Sequence, residues 1–274
     1  RIRHIHVTEI DLSQHGIRFP VFPSQPPLSK SDDPDKVPFI INKALYNTDR
    51  YIEDELVTVT NIGLMRALNL ARVDISPVQY NPVTQILRIY DDLEIEIVFE
   101  HADIQGTEDL KVSKASPYFI STYKMAANYR SPGPDDALIT SAPATYVIVS
   151  DPMFQSALQP FIQWKVKKGF NVIQAYTSNP AVGTTTTSIK SYLQNLYNTP
   201  PAGYAAPSFV LFVGDVAQIP AWSGSAGSHV TDLRYCEYTG DNLPEVFYGR
   251  FSANNPAQLQ PQIDKTLEYE QYLM

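Results

Sequence analysis

Between residues 146 and 270 the chain alternates between short apolar runs and stretches whose apolar residues recur at helical spacing. Tyr146-Val147-Ile148-Val149-Ser150, residues 170–176, Phe209-Val210-Leu211-Phe212-Val213 and residues 245–251 read as strands. Runs that are apolar on both sides of the pleat must be covered on both faces. Phe154, Leu158, Phe161, Ile162 and Val166 form one helical stripe, opened by Asp151-Pro152 and closed by Gly169. Ile189, Tyr192, Leu193, Leu196 and Tyr197 form a second, and Leu259, Ile263 and Leu267, after Asn255-Pro256, a third. The expected fold is a largely parallel sheet with helices on both faces. Sites in such sheets gather at the carboxyl ends of strands, which is where Gly214-Asp215 falls.

Residues 1–130 read differently. A strand over 2–10, a proline-rich loop and a second strand over 37–41 precede alternating stretches at 68–75, 86–90 and 93–99, with Tyr80-Asn81-Pro82 turning the chain. Leu93, Ile95, Ile97 and Phe99 face one way and Glu94, Glu96 and Glu100 the other, as in a half-buried antiparallel sheet. Ser131-Pro132-Gly133-Pro134 has linker chemistry, so the expected domains are a β-rich 1–130 and an α/β 131–274.

The formal net charge of −8 argues against a nucleic-acid partner, since phosphate binding calls for a basic surface. No apolar run approaches the ~18 residues of a membrane helix. The single cysteine, Cys236, excludes an internal disulfide. With 22 prolines and 17 tyrosines the composition leans towards an extracellular, loop-rich protein.

Val213-Gly214-Asp215, Val230-Thr231-Asp232-Leu233, Gly240-Asp241 with Pro244-Glu245, Gly249-Arg250-Phe251-Ser252 and Gln262-Ile263-Asp264-Lys265 occur in that order, preceded by Lys168-Gly169-Phe170 and Val182-Gly183-Thr184-Thr185. In these motifs residues 131–274 resemble the gingipain-like cysteine peptidases. Upstream, Arg72-Val73-Asp74-Ile75-Ser76-Pro77, Tyr80-Asn81-Pro82 and Asp92-Leu93 resemble the propeptide domain of the same family. The resemblance implies a caspase-like α/β fold behind a β-rich propeptide-like domain. It also implies a secreted or cell-surface endopeptidase zymogen of bacterial type, acting on protein or peptide substrates. By the same resemblance Asp215, Asp241 and Glu245, with the Leu243 carbonyl, match a structural calcium site; hard cations take six to eight oxygen ligands. The family's mature amino terminus falls at Ser131, which implies activation by cleavage after Arg130.

A cysteine peptidase needs a thiolate beside a histidine. Cys236 and His229 lie in one segment, but residues 233–238 alternate like a strand, and by resemblance the reactive cysteine and histidine belong to a carboxyl-terminal subdomain beyond residue 274. His15-Gly16 matches nothing catalytic. Ser228, His229 and Asp232 as a serine triad, and Gly183 with residues 184–187 as a phosphate cradle, are both outweighed by plainer readings, a local cluster and a threonine-capped helix. Two alternatives stay open: a non-catalytic surface or interaction module keeping the fold, and an export-associated transpeptidase relative.

Overall fold

The computed structural model describes residues 1–52, 55–130, 142–225 and 229–272. The chain divides into two compact units, Arg1–Thr60 with Ala71–Ala102 and Asn61–Leu70 with Asp103–Met274.

In the first unit β1 (Ile2–Asp11) is followed by a helical turn, α1 (Lys43–Tyr46), and by the hairpin β2 (Val57–Met65) and β3 (Leu68–Ile75), within which the division between units falls. Strands β4 (Val78–Asn81) and β5 (Ile86–Ile95) complete an antiparallel sheet of order β1-β5-β4. The Asn81 side chain makes the β4–β5 turn by accepting from the Val83 and Thr84 amides at 3.1 and 3.3 Å. Residues 37–41 are not a strand. The amide side chain of Gln25 bonds both backbone groups of Ile40, accepting at 2.8 Å and donating at 3.0 Å, and so replaces a ladder partner. The strand expected over 93–99 stops at Ile95, which pairs with Ile2 at the first residue of β1.

The second unit carries α2 (Ile104–Lys114) and α3 (Ile120–Tyr123), then β6 (Thr145–Ser150), α4 (Gln159–Lys167), β7 (Asn171–Tyr176), α5 (Thr186–Asn198) and β8 (Pro207–Val213). A two-stranded ribbon of β9 (Trp222–Ser223) and β10 (Val230–Thr231), the turn α6 (Leu233–Cys236), β11 (Phe247–Phe251) and α7 (Pro256–Glu270) follow. The sheet order is β11-β8-β6-β7, with every pair parallel. Successive residues of β6 and β8 serve opposite faces. Val147, Val149, Val210 and Phe212 pack with α5 and α6 through Ile189, Leu193, Tyr235 and Cys236. Ile148, Leu211 and Val213 pack with α4 and α7 through Phe161, Leu259 and Ile263.

The helix ends follow their sequence signals. Thr185 and Ser188 form a reciprocal capping box at the start of α5, Asn255 caps α7, and Gly169 takes φ +91° after α4. Residues 233–236 form a helical turn instead of the expected strand, and Tyr235 and Cys236 within it are both fully buried. Residues 103–130, expected in the amino-terminal domain, cluster with the α/β unit. Phe119 stacks on Phe247 with centroids 4.2 Å apart, and the Ser116 and Ser208 hydroxyls meet at 2.8 Å. Among the described residues no helix is long and apolar enough to cross a membrane.

Candidate functional site

Parallel pairing sets the geometry of the candidate residues. Phe247 lies opposite Phe209 and Phe251 opposite Val213, so Glu245, just before β11, sits at the amino-terminal end of the sheet. Asp215 follows β8 at the carboxyl-terminal end, where its amide donates to Ala253 O at 3.0 Å. At about 3.3 Å per residue the two carboxylates are separated by on the order of 20 Å. The set Asp215, Asp241, Leu243 and Glu245 is therefore not assembled on one ion. Among the described residues no group of three or more His, Cys, Asp or Glu side chains is disposed to hold a metal ion.

At the carboxyl edge Asp215 accepts from the Val216 amide at 2.8 Å and from Asn254 Nδ2 at 3.2 Å, and these bonds hold its carboxyl below the usual aspartate range. Beside it Arg250 donates from Nη1 to Gly214 O and Ile219 O at 2.8 and 2.9 Å, and from Nε and Nη2 to the two oxygens of Asp232 at 2.8 and 2.7 Å. Both oxygens of Asp232 thus belong to a bidentate arginine pair, so Asp232 does not orient His229 as a triad would require. Ser228 lies outside the described residues.

At the opposite end the loop 237–245 folds around its own acids. Thr239 Oγ1 donates to Asp241 Oδ2 at 2.8 Å and to Glu245 Oε1 at 3.2 Å, bringing these two predicted ligands together. Leu243 enters through its amide, which donates to Asp241 Oδ1 at 2.8 Å. Glu237, absent from the sequence-based set, accepts from the Gly240 and Asp241 amides and lies 3.6 Å from Lys190. Burial, then the Asp241 and Glu237 charges, push the Glu245 carboxyl up to about 7 despite a bond from the Tyr238 amide. Burial works against the Asp241 carboxylate too, but bonds from Leu243, Leu64 and Thr239 hold it below the usual range.

Cys236 is fully buried in the core on the α5 face, and burial pushes its thiol well above the ordinary cysteine value. A thiol so placed is a protonated packing group. His229 is exposed and lies against Gly224, whose amide donates to the His229 carbonyl. Gly183, at φ +70°, leaves room for the capping hydroxyl of Ser188, so the 183–187 segment is a helix cap. Arg130 is exposed on the rim of a cavity of about 640 Å³ between the 67–70 hairpin residues and the 108–130 segment, while Ser131 lies outside the described residues. Sequence reading missed Arg66 and Lys114, two buried cations of the α/β unit. Nothing local marks them, although an arginine between Met65 and Ala67 in an apolar hairpin is unusual company for an exposed turn.

Two family models match in succession, Propeptide_C25 over residues 9–117 and Peptidase family C25 over residues 139–274. Lys-gingipain of Porphyromonas gingivalis is 38% identical over the whole chain, which spans 16% of that protein. Gingipain R1 of the same organism is 28% identical over 91% of this chain and 24% of its own length. A solved complex of Porphyromonas gingivalis RgpB pro- and mature domains is 25% identical where it superposes, with a TM-score of 0.41, covering 46% of this chain and 29% of that one; this partial superposition adds nothing to the family match. The order of the two matched blocks, with the acidic loop and the four-stranded parallel sheet in the second, carries the assignment: the chain belongs to the gingipain-like peptidase family C25, as its propeptide region followed by the amino-terminal part of its peptidase region.

Proposed function

We propose that this chain is the latent front portion of a secreted or cell-surface cysteine endopeptidase that cleaves protein or peptide substrates. The observation that carries the reading is the succession of a propeptide match over 9–117 and a peptidase match over 139–274 on one chain. The described residues offer no thiolate paired with a histidine, because Cys236 is fully buried with its thiol raised in pKa, whereas His229 is exposed. The nucleophile and its base are accordingly assigned to chain beyond residue 274, and the α/β unit serves as their scaffold. Cleavage after Arg130 activates the precursor in this reading, and the exposure of Arg130 supports it.

Calcium belongs to the reading only at the loop 237–245, where Asp241 and Glu245 share the Thr239 hydroxyl; Asp215 is at the other end of the sheet. Expression of the precursor with its downstream sequence tests the whole. Limited trypsin digestion is expected to cut first after Arg130 and to release thiol-dependent peptidase activity that survives Cys236→Ser. Loss of activity in Cys236→Ser, or activity insensitive to thiol alkylation, overturns the reading.

A further inference from the structure

Arg66 is among the largest fully buried side chains of the described residues, yet it sits at the tip of a hairpin. Four of the five guanidinium N–H donors reach backbone carbonyls. Nε donates to Lys114 O at 2.6 Å, Nη1 to Pro207 O at 2.6 Å and Glu245 O at 3.0 Å, and Nη2 to Ala206 O at 3.0 Å. The rings of Phe119 and Tyr197 flank it, their centroids 5.1 and 5.6 Å from Cζ. Its backbone is at φ +56°, a region an arginine rarely enters and keeps only when its surroundings over-determine it.

The contacts on either side repeat the pattern. The Leu64 amide donates to Asp241 Oδ2 at 2.6 Å, and Gly63 lies so close to that carboxylate that a Cβ there would collide with it. Lys114 Nζ donates to Tyr197 O at 2.5 Å and Asn198 O at 3.3 Å, capping the carboxyl end of α5. Each of these bonds joins a residue before Arg130 to a residue after Ser141 or to the segment that packs on it. Among the described residues no carboxylate is ion-paired with the guanidinium; the socket is built from carbonyl dipoles and ring faces.

We propose that the carbonyls of Ala206, Pro207 and Glu245, with the Tyr197 ring, form a guanidinium-binding socket on the peptidase unit, and that Arg66 is its ligand, anchoring the 61–70 hairpin tip independently of the covalent link through residues 131–141. The hairpin thereby acts as a docked peptide with a single charged anchor, and Gly63 and Leu64 set its register against Asp241. The inference rests on the propeptide reading of residues 1–130 for its biological meaning, but its test does not depend on where natural processing occurs.

A site for a specific protease is placed within residues 131–141 of the full chain, the protein is immobilised through its carboxyl end, and the loss of fragment 1–130 is followed after cutting. The wild-type fragment is expected to stay bound. Arg66→Ala is expected to release it about 100-fold faster, since bonds from a charged donor to several carbonyls are lost together. Should Arg66→Ala fail to give folded protein, two milder variants decide the matter. Arg66→Lys keeps the charge but cannot span four carbonyls, and Gly63→Ala keeps Arg66 but pushes the hairpin off Asp241; each is expected to speed release about 10-fold. Immediate loss of the wild-type fragment on cutting, or release of Arg66→Lys and Gly63→Ala at the wild-type rate, overturns the proposal. Failure of trypsin to cut after Arg130 would count against the processing junction alone.

Discussion

Arg250 and Asp232 are joined by two parallel hydrogen bonds, with both side chains 14% exposed, and the same guanidinium closes on the carbonyls of Gly214 and Ile219. Arg250 is therefore the clasp between β11, the end of β8 and the segment before α6. Arg250→Ala is expected to destabilise the chain by about 2–4 kcal/mol, because it strands a largely buried carboxylate and two carbonyls. Arg250→Lys should recover less than half of that, since an ammonium cannot match the fork. Denaturant titration of the variants checks both; a loss below ~1 kcal/mol in Arg250→Ala would show the pair to behave as an exposed one.

Glu270 closes α7 onto α4 by accepting from Lys165 Nζ at 2.6 Å, Trp164 Nε1 at 2.9 Å and Lys168 Nζ at 3.2 Å. Burial opposes its ionisation, but the bonds from Lys165 and Trp164 prevail and its carboxyl lies below the usual glutamate value. A carboxyl depressed in the folded state contributes stability that is complete above its unfolded value and lost as pH falls through the folded one. Stability should thus fall with pH in the acid range below the ordinary value of 4.5, and Glu270→Gln should flatten that slope while costing about 1–3 kcal/mol at neutral pH. Urea midpoints measured at several pH values for both proteins give the answer.

The Cys236 thiol is inaccessible and raised in pKa, so an aromatic disulfide reagent should leave it untouched in the native chain and label one thiol per chain only on unfolding. Labelling at the rate of a free thiol in native buffer would contradict the packing described for α6.

If the loop 237–245 takes calcium, the ion should raise the melting temperature, with a stabilisation of ~2.7 kcal/mol when it is in 100-fold excess over its dissociation constant. Asp241→Ala should abolish the gain and Asp215→Ala should leave it intact, because only Asp241 belongs to that end of the sheet. A gain lost in Asp215→Ala and kept in Asp241→Ala would place the ion at the wrong end for this account.

The parallel sheet was legible because apolar runs and capped helical stripes are local signals: β6 and β8 fall close to residues 146–150 and 209–213, α5 contains the stripe from Ile189 to Tyr197, and α7 starts at Pro256 and carries Leu259, Ile263 and Leu267. Registry was not. That Glu245 and Asp215 sit at opposite strand ends follows from parallel pairing between residues nearly forty positions apart, which no local pattern encodes. Residues 37–41 misled because a β-branched, apolar stretch was satisfied by one glutamine side chain instead of a neighbouring strand. Arg66 was invisible for a related reason: its partners are carbonyls, which every residue possesses and no sequence pattern advertises.

The bonds of Arg66 to Ala206, Pro207 and Glu245 span 140, 141 and 179 residues of chain. On a ribosome the hairpin emerges first and must wait, its cation solvated, while the residues that will surround it are still being made at roughly 5–20 residues per second. The delay is on the order of ten seconds at that rate. The peptidase unit is thus the later partner in its own assembly, closing around a ligand that was in place before the socket existed.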